Sequence, residues 1–281
     1  MLFFVIILAT TILLSFLFWI FNIISYILTT DQEPLNLVSP LRWMLSIIVP
    51  LFMTQWGLKQ KALDNTGAFA AFLVGFVLML SNYCFMSSVL IFFVVGSKAT
   101  KFRSWKKINL EKDFKEGGER NWIQVLCNGG VATEVAILYM IDCGCGEHVT
   151  DFTKHYTQSW LGMALLGAVS CSCADTLASE IGTVVGGWDP RLVTTFRRVP
   201  KGTNGGVTIV GIIASIFGGL IIGISYYCML LMTVSADILE ASPPQWPIVT
   251  IGMASGLLGS LVDSYLGATV QFSGDSDDDL C

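Results

Sequence analysis

Charge is scarce in this chain. Asp, Glu, Lys and Arg make up only 13% of its 281 residues, against 53% hydrophobic. A soluble domain does not carry several separate stretches of about 20 apolar residues, so a water-soluble fold is excluded. Histidine is nearly absent, with two residues, and no Cys-x-x-Cys pair occurs, so no zinc or thiol-redox framework is read from the thiols. The eight cysteines, Cys143, Cys145, Cys171 and Cys173 among them, read mostly as small buried hydrophobes, and a disulfide across Gly144 would be strained. No Gly-x-x-x-x-Gly-Lys-Ser/Thr loop is present. No Arg-rich, Ser-rich leader precedes the first apolar run, which argues against organelle import. That run, 2–28, is too long for a signal-peptide core and lacks a basic leader, so it reads as a retained anchor. A net charge of −5 does not favour nucleic acid as a partner.

What is there is a series of apolar runs over 2–28, 41–57, 66–80, 83–95, 122–141, 160–181, 206–234 and 248–270. They predict an all-α, polytopic integral membrane helix bundle of seven or eight spans, one domain over 1–272, followed by an acidic tail, 273–281, that is solvated and disordered. Whether 66–96 crosses once as a tilted helix or twice as a hairpin is not decided by hydropathy; Lys59 and Lys61 before it and Lys98 after it favour two crossings. Eight of the sixteen Lys and Arg lie between Lys98 and Arg120, and four more between Arg191 and Lys201. The positive-inside tendency therefore makes loops 97–121 and 187–205 cytosolic, and leaves Asp31, Glu33 and the loop carrying Glu147 and Asp151 on the other side. The mixed segment 97–121 suits an amphipathic helix on anionic lipid, a role in closing over a ligand, or both.

Two constellations bear chemistry. Asp175, Ser179 and Glu180 stand at the end of an apolar span, where an ionised side chain costs about 2.5–3.5 kcal/mol and faces a polar cavity as a rule. On a helix Asp175 and Ser179 share a face, and Glu180 is expected beside them; two carboxylates and a hydroxyl suit Mg2+ held together with a substrate phosphate. Lys201, Gly202, Thr203, Asn204 and Gly205 form a basic, glycine-rich turn that opens the next span, where converging N–H groups and a helix start favour an anion, with Arg197 and Arg198 adding charge. The bland readings are a helix cap for the acids and a positive-inside turn for the loop. A second basic patch, Lys98, Lys101, Arg103 and Arg120, is placed to hold a lipid phosphate or simply headgroups, and Asn128-Gly129-Gly130 lets a ligand approach the backbone. Asp263 and Ser264 are a further polar pair near a span end. They form with Asp175-Thr176 and Asp64-Asn65-Thr66-Gly67 a weak internal echo: an Asp and a hydroxyl beside a Gly near a helix end.

The string Asp175-Thr176-x-Ala178-Ser179-Glu180-x-Gly182, then Pro190-Arg191-Leu192-x-Thr194-Thr195, then Gly202-Thr203-Asn204-Gly205-Gly206-Val207-Thr208 resembles the transmembrane protein 19 family. Glu119-Arg120-Asn121-Trp122-x-Gln124-Val125, Ser242-x-x-Gln245-Trp246-Pro247 and Gly259-Ser260-x-Val262-Asp263-Ser264 through Thr269 fit it too, so the resemblance covers most of the chain. That family includes plant phytyl-phosphate kinases and is more distantly similar to CTP-dependent dolichol and phytol kinases. The resemblance implies phosphorylation of an isoprenyl monophosphate, such as phytyl, farnesyl or geranylgeranyl phosphate, to its diphosphate, with CTP as donor and Mg2+. It makes Asp175 and Glu180 metal or nucleotide ligands, with Lys201 the third catalytic residue. Ser179, Gly202, Thr203, Asn204 and Gly205 become phosphate neighbours, and Arg197 or Arg198 steadies charge. Lys98, Lys101, Arg103, Arg120, Asn128, Asp263 and Ser264 are left for the lipid phosphate. The expected setting is the endomembrane system, in particular the endoplasmic reticulum, among membrane lipids, and a homo-oligomer is compatible with it. Family members usually continue past Thr269 into an Asn-rich motif and a further helix. If that helix walls the pocket, a chain stopping at Cys281 is inactive or needs a partner.

Two rivals stay open on the residues alone: a transporter or lipid carrier with Asp175, Glu180 and Asp263 along its path, and a cytidylyltransferase forming a CDP-lipid.

Overall fold

Helix starts in this chain are written in its capping residues. In the computed structural model, which describes residues 2–28, 38–103, 118–185, 189–200 and 202–271, Ser39 caps α2 (Pro40–Lys59) with a proline in its first turn. The Asp64 carboxylate accepts from the Gly67 N–H at 2.7 Å and starts α3 (Asn65–Ser81). Asn82 caps α4 (Tyr83–Lys101). A reciprocal capping box of Asn121 and Gln124 starts α5 (Trp122–Cys143). Thr208 starts α7 (Ile209–Thr233), and Pro247 opens α9 (Pro247–Thr269). The remaining helices are α1 (Leu2–Leu28), α6 (Tyr156–Gly182) and the single turn α8 (Ala236–Glu240). Lys201, residues 104–117, Asp31, Glu33 and the tail 273–281 lie outside the described residues.

Six of these helices, α2, α4, α5, α6, α7 and α9, are long and apolar enough to cross a bilayer; α3 and the 9–25 stretch of α1 are shorter apolar helices. The 66–96 region is a hairpin. Asn82 alone is extended (φ −161°, ψ 131°) between α3 and α4. The two far ends return to one place, since Leu63 bridges Arg120 before α3 and Thr100 lies 3.5 Å from the Arg120 guanidinium near the end of α4. Two boundaries differ from the sequence reading. Residues 97–101, assigned to a loop, continue α4, because the run of hydrogen bonds holds until Phe102 turns extended. Gly206 and Val207, assigned to the seventh span, are instead a strand (β2, Gly206–Val207) paired antiparallel with β1 (Arg191–Leu192), so α7 begins at the Thr208 cap.

Lipid tails are as apolar as leucine, so burial alone does not hold such helices together; close packing and polar contacts do. Outward faces carry exposed Leu17, Phe52, Phe69, Ile141 and Leu258, while Phe85, Tyr139 and Tyr226 form the centre, with Phe85 edge-on to Tyr139 at 5.0 Å. One end of the bundle is clasped by polar contacts. Arg42 on α2 meets Glu147 at 2.8 Å, both largely buried, and lies 4.0 Å over the Tyr83 ring, while Glu147 also accepts from the Tyr83 N–H. Gln245 ties the same 144–155 loop to the α8–α9 connection through the Thr150 N–H and carbonyl. Described basic residues at this end are Arg42 and Lys154. Lys59, Lys61, Lys98, Lys101, Arg103, Arg120, Arg191, Arg197 and Arg198 gather at the opposite end.

Candidate functional site

The opposite end holds a polar cleft between α6, α7, α9 and the 190–208 loop, of about 1310 Å³ including its open mouth. Its position follows from the register of α6 against α9. Gly167 lies against Ser255, Gly259 against Cys171, and one turn further Asp175 against Asp263: a four-residue ladder on both helices. Gly259 is required at its rung, since a Cβ there would sit 2.7 Å from the Cys171 Cβ. The carboxyl groups of Asp175 and Asp263 consequently meet within hydrogen-bond reach. The sequence echo of these two Asp-hydroxyl pairs is thus a meeting in space. Asp64, its third member, is a helix cap that also accepts from Thr66 at 2.7 Å.

Glu180 lines the same cleft but not the same corner. Five residues turn it about 140° around the helix from Asp175, so it is not the neighbour expected from the sequence. It faces Arg120 instead. Burial lowers the Arg120 guanidinium pKa and Glu180 acts against that shift. Ser179 lines the cleft with its hydroxyl hydrogen turned to its own helix, toward the carbonyls of Asp175 and Thr176 at 3.0 and 3.1 Å, which leaves its lone pairs as the outward group.

The glycine loop forms the roof. Gly202 and Gly205 have positive φ, +90° and +75°, and a Cβ on Gly205 would lie 2.6 Å from the Ser264 carbonyl, so the loop rests directly on the end of α9. The Thr203 hydroxyl closes the turn onto the Pro200 carbonyl at 2.9 Å. Among the described residues, the backbone N–H groups of Gly202, Asn204 and Gly205 find no protein acceptor, an arrangement suited to an anion. Lys201 lies outside the described residues.

The residues grouped by sequence around a lipid phosphate separate into three places. Asp263 and Ser264 join the cleft. Arg120 and Asn128 line a second, mostly apolar cavity between α2, α3, α4 and α5. Lys98, Lys101 and Arg103 line neither cavity: Lys98 is exposed, the Lys101 ammonium caps α2 through the Gln60 carbonyl and amide, and Arg103 lies 5.3 Å from the Phe102 ring. The α4 helix continues to Lys101 and so carries these side chains away from the α6–α9 seam. Arg197 and Arg198 are exposed on the loop surface, with Arg198 4.0 Å from Asp189, a pairing of little worth in water. Sequence reasoning missed the direct Asp175–Asp263 contact and the apolar cavity. The signal for the first was the echo itself. For the second it was Pro50 inside an apolar span, which packs against Gly75.

Asp175 and Asp263, with the hydroxyl and amide oxygens that line the same cleft, are oxygen donors of the kind that could hold a hard divalent cation together with water. Among the described residues no group of three His, Cys, Asp or Glu forms a closed cage.

Comparison with known proteins finds the family model described as integral membrane protein DUF92 matching residues 48–279. Protein PGR of Arabidopsis thaliana is 36% identical over 233 residues, 83% of this chain and 80% of that protein. An uncharacterized membrane protein of Methanocaldococcus jannaschii is 28% identical over 83% of this chain and 85% of its own length. The chloroplastic protein VTE6 of Arabidopsis thaliana is 27% identical over 87% of this chain and 68% of its length. No solved structure matches.

Proposed function

The chain belongs to the DUF92 family of integral membrane proteins, and we propose that it is a membrane kinase that moves a phosphoryl group from a nucleoside triphosphate, CTP in the first instance, to an isoprenyl monophosphate. The observation that carries this reading is the contact of Asp175 with Asp263 beneath a glycine loop with open N–H groups, at the basic end of a helix bundle. Two carboxylates close together ask for a cation between them, and backbone N–H groups without a described acceptor in the glycine loop that lines the same cleft suit an anion. A nucleotide phosphate chain carrying Mg2+ satisfies both.

In this account the Gly202–Gly205 backbone and Lys201 hold the triphosphate, Asp175 and Asp263 hold the cation, and Ser179 and Ser264 offer oxygens beside it. A bound Mg2+ supplies charge neutralisation on the phosphates. An oxygen of the lipid monophosphate forms a bond to the γ-phosphorus while the bond from that phosphorus to the β–γ bridging oxygen breaks. The products are a lipid diphosphate and the nucleoside diphosphate. The attacking oxygen is already anionic, so no general base is required, and positioning with electrostatic stabilisation carries the reaction. Glu180 acts from the other wall by holding Arg120 at the acceptor side.

The gathering of basic residues at this end supports a cytosolic position for the cleft, where nucleotides are available, and the reading takes the membrane to be an endomembrane. The test is transfer of label from γ-labelled CTP or ATP to a panel of isoprenyl monophosphates by the purified protein in nanodiscs. Labelled diphosphate is the expected product. Absence of transfer from either nucleotide to every member of the panel overturns the reading.

A further inference from the structure

Among the described residues lining the apolar cavity between α2, α3, α4 and α5, Arg120 is the charged one, at the end that faces the polar cleft. Asp64 and Ala62 bond the Arg120 backbone, and its side chain reaches toward Thr100 and the Gly96 backbone turn of α4, so the guanidinium is held at this mouth. At Gly96 a Cβ would meet both the Arg120 guanidinium at 3.3 Å and the methyl of Thr176, the neighbour of Asp175, at 3.6 Å, and the Ser172 hydroxyl donates to the Asn128 carbonyl at 3.2 Å, so Arg120 stands where the two spaces meet. From the mouth the cavity descends between helices. On α4 the lining runs from Phe93, toward the mouth, past Val89 to Met86, about 10 Å along the axis. The floor is Gly75 between Pro50 and Met86, where a Cβ on Gly75 would meet the Pro50 ring at 2.9 Å and the Met86 methyl at 3.7 Å. Below Arg120 the polar groups on the wall are Thr54, Gln124 and Asn128.

We infer that this slot takes the isoprenyl chain of the acceptor, with the lipid phosphate at Arg120 and the chain end against Met86 and Gly75. The inference rests on the kinase reading for the identity of the head group, and adds the place of the tail and the residues that select its length. A cation at the mouth of a narrow apolar slot matches an amphiphile with an anionic head and a long hydrocarbon chain. Placing the chain there brings the head to the wall shared with the nucleotide cleft. Val74 is the partition: it lines the slot and also an outer groove formed with Phe69, Leu73, Trp122 and Leu126, and it packs against Gly129, where a Cβ would lie 3.3 Å away. Chains that reach beyond the floor must pass this partition toward the outer groove. Gly129, flagged in the sequence beside Asn128, earns its place by keeping that wall thin.

The test uses the full-length protein in nanodiscs and a farnesyl phosphate with a photoreactive diazirine at the chain end, followed by peptide mapping. Adducts on α3 and α4 around Gly75 and Met86, competed by unlabelled farnesyl phosphate and lost when Val89, which lines the slot on α4 one turn from Met86, is replaced in Val89→Phe, are expected. Adducts confined to Phe69, Leu73 and Leu126, or no adduct at all, overturn the inference. Two variants give an independent readout in the transfer assay, each checked for a monodisperse elution profile. Val89→Phe lowers kcat/KM for geranylgeranyl phosphate at least about tenfold and leaves dimethylallyl phosphate unchanged, the scale expected of filling an apolar pocket. Met86→Ala moves the preference toward longer chains. Equal loss for all chain lengths in both variants overturns the slot. Labelling of the slot without transfer would sink the kinase reading and leave the slot, whereas transfer with adducts elsewhere would do the reverse.

Discussion

Substituting Asp263→Asn separates stability from function. The Asp175 and Asp263 carboxyl groups stand close together, and when both are ionised their like charges repel. Two unit charges about 4 Å apart repel by about 4 kcal/mol at an effective dielectric constant near 20. Asp263 is exposed on the cleft side, so water and salt reduce this to about 1 kcal/mol. Removing one charge relieves it, and Asp263→Asn should melt about 2–4 °C above the unaltered protein in EDTA. Adding Mg2+ with CTP reverses the order, because ligand bound only to the folded state adds stability, about 2.7 kcal/mol at a hundredfold excess over Kd, and the variant has lost half of its carboxylate pair. The assay is thermal unfolding in detergent with and without Mg2+ and CTP. A variant that melts lower in EDTA, or gains as much from Mg2+ and CTP as the unaltered protein, refutes the reasoning.

Arg120→Gln should lower kcat/KM for the lipid phosphate by about 10–100-fold, the worth of a charged hydrogen bond, with nucleotide affinity kept; a fall in CTP affinity of equal size would place Arg120 on the nucleotide instead. Gly205→Ala forces a side chain into a left-handed conformation and against Ser264, at about 1–2 kcal/mol, and is expected to weaken CTP binding about tenfold or more while the bundle melts within a few degrees of normal. Glu147→Ala leaves Arg42 buried without its carboxylate and should cost about 3 kcal/mol, read as a lower melting temperature, with the transfer rate of the folded fraction unchanged. Acid should loosen the same end. His148 is held below its ordinary pKa by burial and by the adjacent His155, and Asp151 below its own by hydrogen bonds from Thr153. Both pKa values are depressed in the fold, so the stability they give is complete above the unfolded values, about 6.5 and 3.9, and is lost as pH falls through the folded ones. The melting temperature should decline from pH 7 to 5 through His148, and His148→Phe should flatten that decline.

Local features of this fold were legible in the sequence because they are local. The apolar runs set the spans; the caps Ser39, Asp64, Asn121 with Gln124, and Thr208 are residue types that helix N–H groups demand, but they were not read from the sequence, and the seventh span was started two residues early at Gly206. Asn82 was visible as a break between two apolar runs, and the lysines on either side favoured two crossings over one tilted helix; the return of Leu63 and Thr100 to Arg120 bears this out. The glycine loop was found by composition, and its two strand residues were not, because a two-residue ladder has no periodicity to read. Asp175 was recognised by its cost in an apolar run. Its partner was misjudged: Glu180 is near in sequence but turned away on the helix, while Asp263 is brought up by the Gly167, Cys171 and Gly259 rungs of a helix pair. Lys101 and Arg103 were grouped with Arg120 by proximity along the chain, and the continuation of α4 takes them to other partners. The slot is a product of four helices packing together, and no single segment announces it.

The most direct measurement is single-turnover transfer of the CTP γ-phosphate to farnesyl phosphate by the unaltered protein, Asp175→Asn, Asp263→Asn and Glu180→Gln in parallel. A phosphoryl-transfer centre built on the Asp175–Asp263 pair predicts a loss of about 10²–10³-fold or more in the two Asp variants, the scale of removing an electrostatic contact in the transition state, and a smaller loss in Glu180→Gln. Transfer that survives in Asp263→Asn at the unaltered rate, or that fails only in Glu180→Gln, contradicts the account.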